Sequence, residues 1–314
     1  MKRTGKHLVF SNGRHNAFTD VTLFGDYYYL VFRAGDHHVS YDGRILACRS
    51  TDGIRWSEPI EIINTPTDDR DPKLFVFDSK LFCTFQSRWA SEEDPHRRFP
   101  MIAYSADGLH WSKAIQCYDN DYVPWRPKVR EDRVYNAFYK HSPTDPSAWR
   151  VVLGISHNGL WWNHVSTIYS GDRANETDLH FLTDGSAMAI VRREGMSSVI
   201  ARAEPPYKEW NYEDLGVAIH SPCVMQAGDT LFLCGREYDH DTGSAGVSLW
   251  TYDNALEKRM VLEPLAPKRS QDGITHVDCA YPGMQKLHGE TGLLISYYYG
   301  NNHESSIYRC IIDL

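Results

Sequence analysis

The chain has 314 residues, enough to bury a full core as one large domain or two smaller ones. Aromatic residues make up 13% of it, a composition that suits strands and sugar-stacking surfaces. A formal net charge of −8 argues against nucleic acid as a general partner, and no apolar run approaches the length of a membrane-spanning helix.

The first residues, Met1-Lys2-Arg3-Thr4-Gly5-Lys6-His7, are basic but lead into no apolar segment. No export signal is predicted there. Cytoplasm is the default location, with secretion left open. Seven cysteines are scattered through apolar, strand-like contexts and read as buried reduced thiols. No Cys/His spacing suits zinc and no dense acidic loop suits calcium, so neither a metal nor a cofactor is expected.

From Asp20 onward the chain repeats one theme: a polar or Pro-containing opener, an apolar strand, a tight turn, a returning strand. Asp20-Val21-Thr22-Leu23-Phe24 turns at Gly25-Asp26 and returns to Arg33. Asp71-Pro72-Lys73 turns at Asp78-Ser79 and returns to Arg88, and Arg126-Pro127-Lys128 turns near Glu131-Asp132 and returns to Lys140. Between those two, Ser91 to Arg98 reads as a charged loop. Asn175-Glu176-Thr177-Asp178 turns at Asp184-Gly185 and returns to Arg192. A hairpin brings its outer ends together, so Glu176 and Arg192 are expected at the same sheet edge. Ser221-Pro222-Cys223 returns to Arg236, and Tyr281-Pro282-Gly283-Met284 returns to Tyr299. Residues from about Leu8 to Phe10 are predicted to supply a closing strand.

A second repeat runs in phase. Ser50-Thr51-Asp52-Gly53-Ile54-Arg55-Trp56, Ser105-Ala106-Asp107-Gly108-Leu109-His110-Trp111 and Ser156-His157-Asn158-Gly159-Leu160-Trp161-Trp162 share Ser-x-Asp/Asn-Gly-x-x-Trp. The Asp or Asn accepts backbone N–H groups, Gly supplies the left-handed residue and Trp packs beneath. In the third motif one of the paired Trp rings is expected in the core and the other outside. The spacing of about fifty residues is that of one four-stranded propeller blade. The prediction is an all-β, six-bladed β-propeller formed by residues 1–314 as one domain.

In a propeller the innermost strands surround one central funnel. The openers Asp20, Asp71, Arg126, Glu176, Asp178, Ser221 and Tyr281 should meet there with Arg33, Arg88, Arg192 and Arg236. Convergent guanidinium groups suit a carboxylate or another anion, which each can hold through two parallel hydrogen bonds. The competing reading makes these groups ion pairs that tie blades together. His37, His38 and His180 read as loop or hydrogen-bonded histidines rather than catalytic or metal-binding ones.

On these motifs the chain resembles the sialidase (neuraminidase) superfamily of six-bladed propellers over nearly its whole length. The Ser-x-Asp-Gly-x-x-Trp motifs resemble the family's Asp-boxes (BNR repeats). Asn175-Glu176-Thr177 leading to Arg192 resembles the segment with the catalytic glutamate and the second carboxylate-binding arginine. Arg236 matches the third arginine, and Ala280-Tyr281-Pro282-Gly283-Met284 the segment with the nucleophilic tyrosine. The resemblance implies a retaining glycoside hydrolase acting on a terminal acidic sugar of a glycan, with Glu176 as base to Tyr281 and a separate Asp as acid. For that acid it implies Asp42, favoured on its spacing from the first strand, or Asp36 beside two histidines; an ordinary Asp-Gly turn at Asp42-Gly43 is the alternative. Arg33 and Arg126, with Asp20 and Asp71, are the remaining candidates for substrate contact. The chain departs from the family at blade one, where Ala17-Phe18-Thr19-Asp20-Val21 stands in place of an Arg-Ile-Pro-like motif, and at Pro282-Gly283 in place of a small-acidic pair. Two other readings are kept: a carboxylate-only propeller glycosidase of arabinanase or xylosidase type using Asp20, Asp71 and Glu176, and a glycan-binding propeller without turnover. A polysaccharide lyase is a weaker fourth.

Overall fold

A computed structural model describes residues 3–89, 97–142, 144–253, 255–267 and 277–314. The expected charged loop lies outside them except for Arg97 and Arg98, as do Met1 and Lys2 of the basic start. The described chain is almost entirely strand. In order it forms β1 (His7–Phe10), β2 (His15–Phe24), β3 (Tyr27–Gly35), β4 (Arg44–Ser50) and β5 (Ile60–Ile63). Next come β6 (Asp68–Phe77), β7 (Lys80–Arg88), β8 (Arg98–Ser105) and β9 (Ile115–Gln116). Then follow β10 (Tyr122–Pro124), β11 (Lys128–Arg130), β12 (Arg133–Lys140), β13 (Arg150–Ser156) and β14 (Asn163–Ser170). The next group is β15 (Ala174–Phe181), β16 (Ala187–Arg193), β17 (Val199–Ala203) and β18 (Asn211–Asp214). The last seven are β19 (Ala218–Ala227), β20 (Thr230–Asp239), β21 (Ser244–Asp253), β22 (Ala255–Pro267), β23 (Asp278–Lys286), β24 (Gly292–Gly300) and β25 (Ser305–Asp313).

The strands form a β-propeller. Three four-stranded sheets, β6–β9, β15–β18 and β19–β22, keep chain order, and a five-stranded sheet has both β10 and β11 against β12. These are four separate blades. The rest is one eight-stranded sheet, ordered β23-β24-β25-β2-β3-β4-β5 with β1 on β25. The backbone ladder joins its two halves at one parallel pair, His15 with Ser305, while β2 also packs side by side with β23 and β24. The six expected units thus appear as four separate blades and one double-width sheet. The expected closing strand is present, since β1 pairs antiparallel with β25.

Burial explains the pattern of side chains. Inner strands such as β6 and β19 are covered on both faces by neighbouring blades and lose the alternation of a half-exposed strand. Outer strands are short and exposed, as in β9 and β18, which limits edge-to-edge pairing. All seven cysteines are free and buried. No helix among the described residues is long and apolar enough to cross a membrane.

The three repeated turns share one geometry. Ser50 Oγ accepts the Gly53 N–H at 2.9 Å, and Asp52 Oδ1 accepts those of Ile54 and Arg55 at 2.8 Å each. Ser105 with Asp107 and Ser156 with Asn158 repeat it. Of the Trp161-Trp162 pair, Trp162 is buried and Trp161 exposed.

A second regularity positions the site. The pairing of each inner strand slips at one place: between Ala17 and Asp20 in β2, Arg70 and Lys73 in β6, Ala174 and Thr177 in β15, His220 and Cys223 in β19, and Ala280 and Gly283 in β23. The gap between β10 and β11, at Trp125-Arg126-Pro127, falls at the corresponding point. Phe18, Asp71, Ser221 and Tyr281 sit at these bulges with positive φ. Three of them precede proline. A bulge bends its strand and re-aims the side chain, here towards the central axis.

Candidate active site

Tyr281 and its neighbours line a cavity of about 430 Å³, a size that suits a small ligand. Arg192, Arg236 and Asp278 join Tyr281 from the strand ends. His37 and His38 come from the β3–β4 loop, and Asn302 and His303 from the β24–β25 loop.

The centre is a buried triad. Tyr281 Oη donates to Glu176 Oε1. Arg192 Nη1 lies 2.6 Å from Glu176 Oε2, so the hairpin does bring its two ends together. The Ser221 N–H donates to the same Oε2 at 2.7 Å, and Ser221 Oγ accepts the Tyr281 N–H at 3.1 Å. Three adjacent inner strands are therefore locked through one carboxylate. Burial alone would raise the Glu176 carboxyl, but Arg192, the Tyr281 hydrogen bond and Arg236 outweigh it and hold it below its usual range. The Tyr281 phenol is pushed well above 10 by burial, then by the negative charges of Glu176 and Asp71. The pair is thus a neutral phenol donating to a carboxylate, an arrangement chemically suited to a nucleophile and its base.

Arg236 donates from Nε and Nη2 to the Cys279 carbonyl at 3.0 and 2.6 Å, and its Nη2 lies 3.5 Å from Asp278 Oδ1. Arg192 reaches the cavity while paired with Glu176 and Glu194. Two guanidinium groups therefore meet at the mouth of the triad, a setting for an anionic ligand.

Four expected contacts lie elsewhere. Asp20 receives Arg126 Nη1 and the Leu74 N–H, the latter at 2.8 Å, and both side chains line a different cavity with Lys128 and Val224. Arg126 also donates to the Pro282 carbonyl at 2.7 Å. Asp178 similarly accepts the Val224 N–H of the next inner strand. These groups tie blades together, as the competing reading had it. Arg33 is also structural: its Nε meets Asp68 at 2.6 Å and its other nitrogens hold His37 O and Ser40 Oγ. Asp71 is different: it is buried, accepts from Gln86 and is not a cavity-lining side chain, but it lies close enough to Tyr281 for its charge to raise the phenol.

Asp36 and Asp42, the expected acids, also stand outside. Both are exposed and both are bound by Arg14, and neither lines the cavity. The guanidinium that captures them comes from the segment before β2, which the repeat does not include. His37 and His38 are loop histidines, as expected, His38 hydrogen-bonded to Asp278, and their loop also forms part of the cavity wall. His180 bonds Gln226 and stays away from it.

Four further residues had no place in the sequence expectations. Asp278 accepts His15 Nε2 at 3.0 Å and His38 Nδ1 at 2.5 Å on one oxygen, and Tyr298 Oη at 2.7 Å on the other. Its position three residues before Tyr281 on the same inner strand is the signal that could have found it. Arg70, one residue before Asp71, sits over the Phe18 ring at 4.7 Å. Phe18 itself occupies the blade-one bulge and packs on Tyr281, with ring centroids 4.7 Å apart. Below the triad, Lys73 is buried near the Trp125 and Tyr281 rings, and burial with the charge of Arg126 pushes its amine down to about 8.

No protein-family model matches the chain, and no curated protein sequence is significantly similar to it. Solved structures do match its fold. A Trypanosoma rangeli sialidase in complex with sialic acid superposes with a TM-score of 0.72 at 12% identity, over 95% of this chain and 54% of that one. The NanB sialidase from Streptococcus pneumoniae gives 0.70 at 10% identity, over 99% of this chain and 71% of that one. A thermostable family-43 glycoside hydrolase gives 0.54 at 11% identity, over 77% of this chain and 88% of that one. The chain spans about half the length of the Trypanosoma rangeli sialidase it matches. At such identities the likeness concerns the fold.

Proposed function

We propose that the protein is a retaining glycoside hydrolase of sialidase type that removes a terminal carboxylated sugar, sialic acid or a relative of it, from a glycan. The observation that carries this reading is the Tyr281–Glu176 contact, with Arg192 on the second carboxylate oxygen and Arg236 on the same cavity wall. In it, Tyr281 Oη attacks the anomeric carbon while Glu176 takes the phenolic proton. A neutral nucleophile avoids the repulsion that a carboxylated sugar would exert on an anionic one. Arg192 and Arg236 bind the sugar carboxylate, and Phe18, buried at the blade-one bulge, supports the Tyr281 ring.

The same reading treats residues 1–314 as one propeller domain with six blades, β2–β5 and β23–β25 with β1 being two blades joined at His15 and Ser305. It also takes the Ser50, Ser105 and Ser156 turns as Asp-boxes. The carboxylate-only alternative is disfavoured because Asp20, one of its three acids, is held by Arg126 in a different cavity. Cytoplasm stays the proposed location.

The test is fluorophore release from a sialic-acid umbelliferyl glycoside, run beside uronide, arabinoside and xyloside analogues. We expect release from the sialoside, and a fall in kcat/KM on the order of 10³-fold or more in Tyr281→Phe, as when a nucleophile is removed. Release from another sugar alone keeps the site and replaces the substrate. Silence across the panel, with a sialoside still bound, favours a glycan-binding propeller.

A further inference from the structure

We propose that His38 is the general acid/base of this site, oriented by Asp278. The assignment rests on the glycosidase reading above, which needs a proton donor for the leaving oxygen and finds both expected aspartates outside the cavity.

Four observations carry it. First, His38 lines the same cavity as Tyr281. Both rings pack on Phe18, with centroids 5.4 and 4.7 Å from it, so the two share one neighbour at the cavity. Second, its Nδ1 is engaged by Asp278 Oδ2 at 2.5 Å, while its Nε2 makes no hydrogen bond among the described residues. A carboxylate on one ring nitrogen fixes the ring orientation and leaves the other nitrogen to exchange a proton with the substrate. Third, Asp278 is held as an anion: burial opposes this, but His38, His15 and Arg236 outweigh it and keep its carboxyl well below its ordinary value.

Fourth, the loop that carries His38 is anchored at several points. The His38 N–H donates to the Asn302 carbonyl at 2.8 Å. The His38 carbonyl accepts Arg70 Nη1 at 2.5 Å, and that of His37 accepts Arg33 Nη1 at 3.0 Å. Rigid supports of this kind hold a catalytic group in its working geometry. The charged or titratable groups facing His38 are Asp278 from β23, His15 from β2, Arg70 from β6 and Tyr298 from β24, with Arg236 behind Asp278.

The steps balance. As the Tyr281 Oη–carbon bond forms, the bond from the anomeric carbon to the leaving oxygen breaks. That oxygen keeps the electron pair and takes the proton from His38 Nε2, while the phenolic proton passes to Glu176. In the second half, neutral His38 removes a proton from water, whose oxygen bonds the anomeric carbon. Tyr281 then leaves with its electron pair and recovers its proton from Glu176.

The experiment compares kcat/KM for sialyllactose, a poor leaving group, with that for the umbelliferyl sialoside, a good one, in the wild type, His38→Gln and Tyr281→Phe. A lost acid hurts poor leaving groups most. His38→Gln should lose about 10²–10⁴-fold on sialyllactose and less than about tenfold on the umbelliferyl sialoside. Tyr281→Phe should lose both. A nitrogen-15 spectrum of the labelled wild type should show Nδ1 of His38 carrying a proton towards Asp278, a readout that needs no turnover. Equal losses on the two substrates, no loss, or an Nδ1 without a proton would overturn the assignment and leave the Tyr281 reading standing. A wild type silent on both sialosides would overturn both.

Discussion

Asp278 has two oxygens and four partners, and one of them, His15, has its protonation fixed by this setting. Its Oδ2 takes His15 Nε2 and His38 Nδ1, and its Oδ1 faces Tyr298 and Arg236. His15 is fully buried. Burial pushes its imidazole down to about 4, against the opposing pull of Asp278. It is therefore neutral, with Nε2–H donated to Asp278 and its Nδ1 lone pair turned to Arg33 Nη1 at 3.5 Å. The sign of the linkage follows. An unfolded His15 binds a proton below its ordinary value of 6.5, whereas the folded one does so only near 4. Its contribution to stability is present above 6.5 and lost as pH falls towards 4. The difference, 6.5 − 4 = 2.5, corresponds to about 3 kcal/mol. Asp278, with its carboxyl depressed, adds a further loss only below about 3.8. Urea unfolding between pH 7 and pH 4.5 should show the wild type losing stability steeply and His15→Gln, which keeps a donor near Nε2, losing markedly less. Parallel slopes would show that His15 is not buried neutral.

Neighbouring inner strands meet closely at Gly283, and this accounts for the unusual sequence after Tyr281. A Cβ there would lie 2.5 Å from the Val21 nitrogen and 2.8 Å from the Asp20 carbonyl carbon. These are backbone atoms of β2 and cannot swing aside. Gly283→Ala should therefore force β23 and β2 apart at a cost of about 1–3 kcal/mol or more, read as a lowered melting temperature. It should also lower turnover, since Tyr281 sits two residues away on the same bulged strand; an unaltered melt would refute the close approach.

The elements were largely legible in the sequence because their signals are local. The Glu176–Arg192 hairpin, the three Ser-x-Asp/Asn-Gly turns and the strand at Leu8 to Phe10 depend on residues within a few positions of one another. Side-chain destinations were less legible. Arg33 and Arg192 close equivalent hairpins, yet Arg33 meets Asp68 of the following blade while Arg192 meets Glu176 of its own. Asp36 and Asp42 have plausible spacing from β3, but spacing carries no sign of Arg14. Asp278 stands more than two hundred residues from His15 and His38, so no window of sequence shows the three together.

At the scale of the molecule, each repeated turn rests on the blade before it. Gly53 faces Leu287 and Leu294, Gly108 faces Tyr29, and Gly159 faces Phe77 and Phe82. These contacts lock neighbours, and the Gly53 contact with Leu287 and Leu294 already spans the junction of the last and first blades. β1 and the His15–Ser305 pairing add backbone hydrogen bonds to that closure. β1 buries little: Leu8 is exposed, while Phe10 stacks on Phe32 at 5.2 Å and Lys6 pairs with Glu263 at 2.7 Å. Its larger effect is to cover the hydrogen-bonding edge of β25, a strand ready to pair with another copy. Deleting residues 1–10 should lower the melting temperature by several degrees, at roughly 2–4 °C per kcal/mol for a domain of a few hundred residues. It should also produce concentration-dependent association in size-exclusion chromatography. Leu8→Lys, an exposed change on the same strand, should leave both within about 0.5 kcal/mol of the wild type. A truncated protein that melts normally and stays monodisperse would mean that β25 needs no cover and that the ring is closed by packing alone.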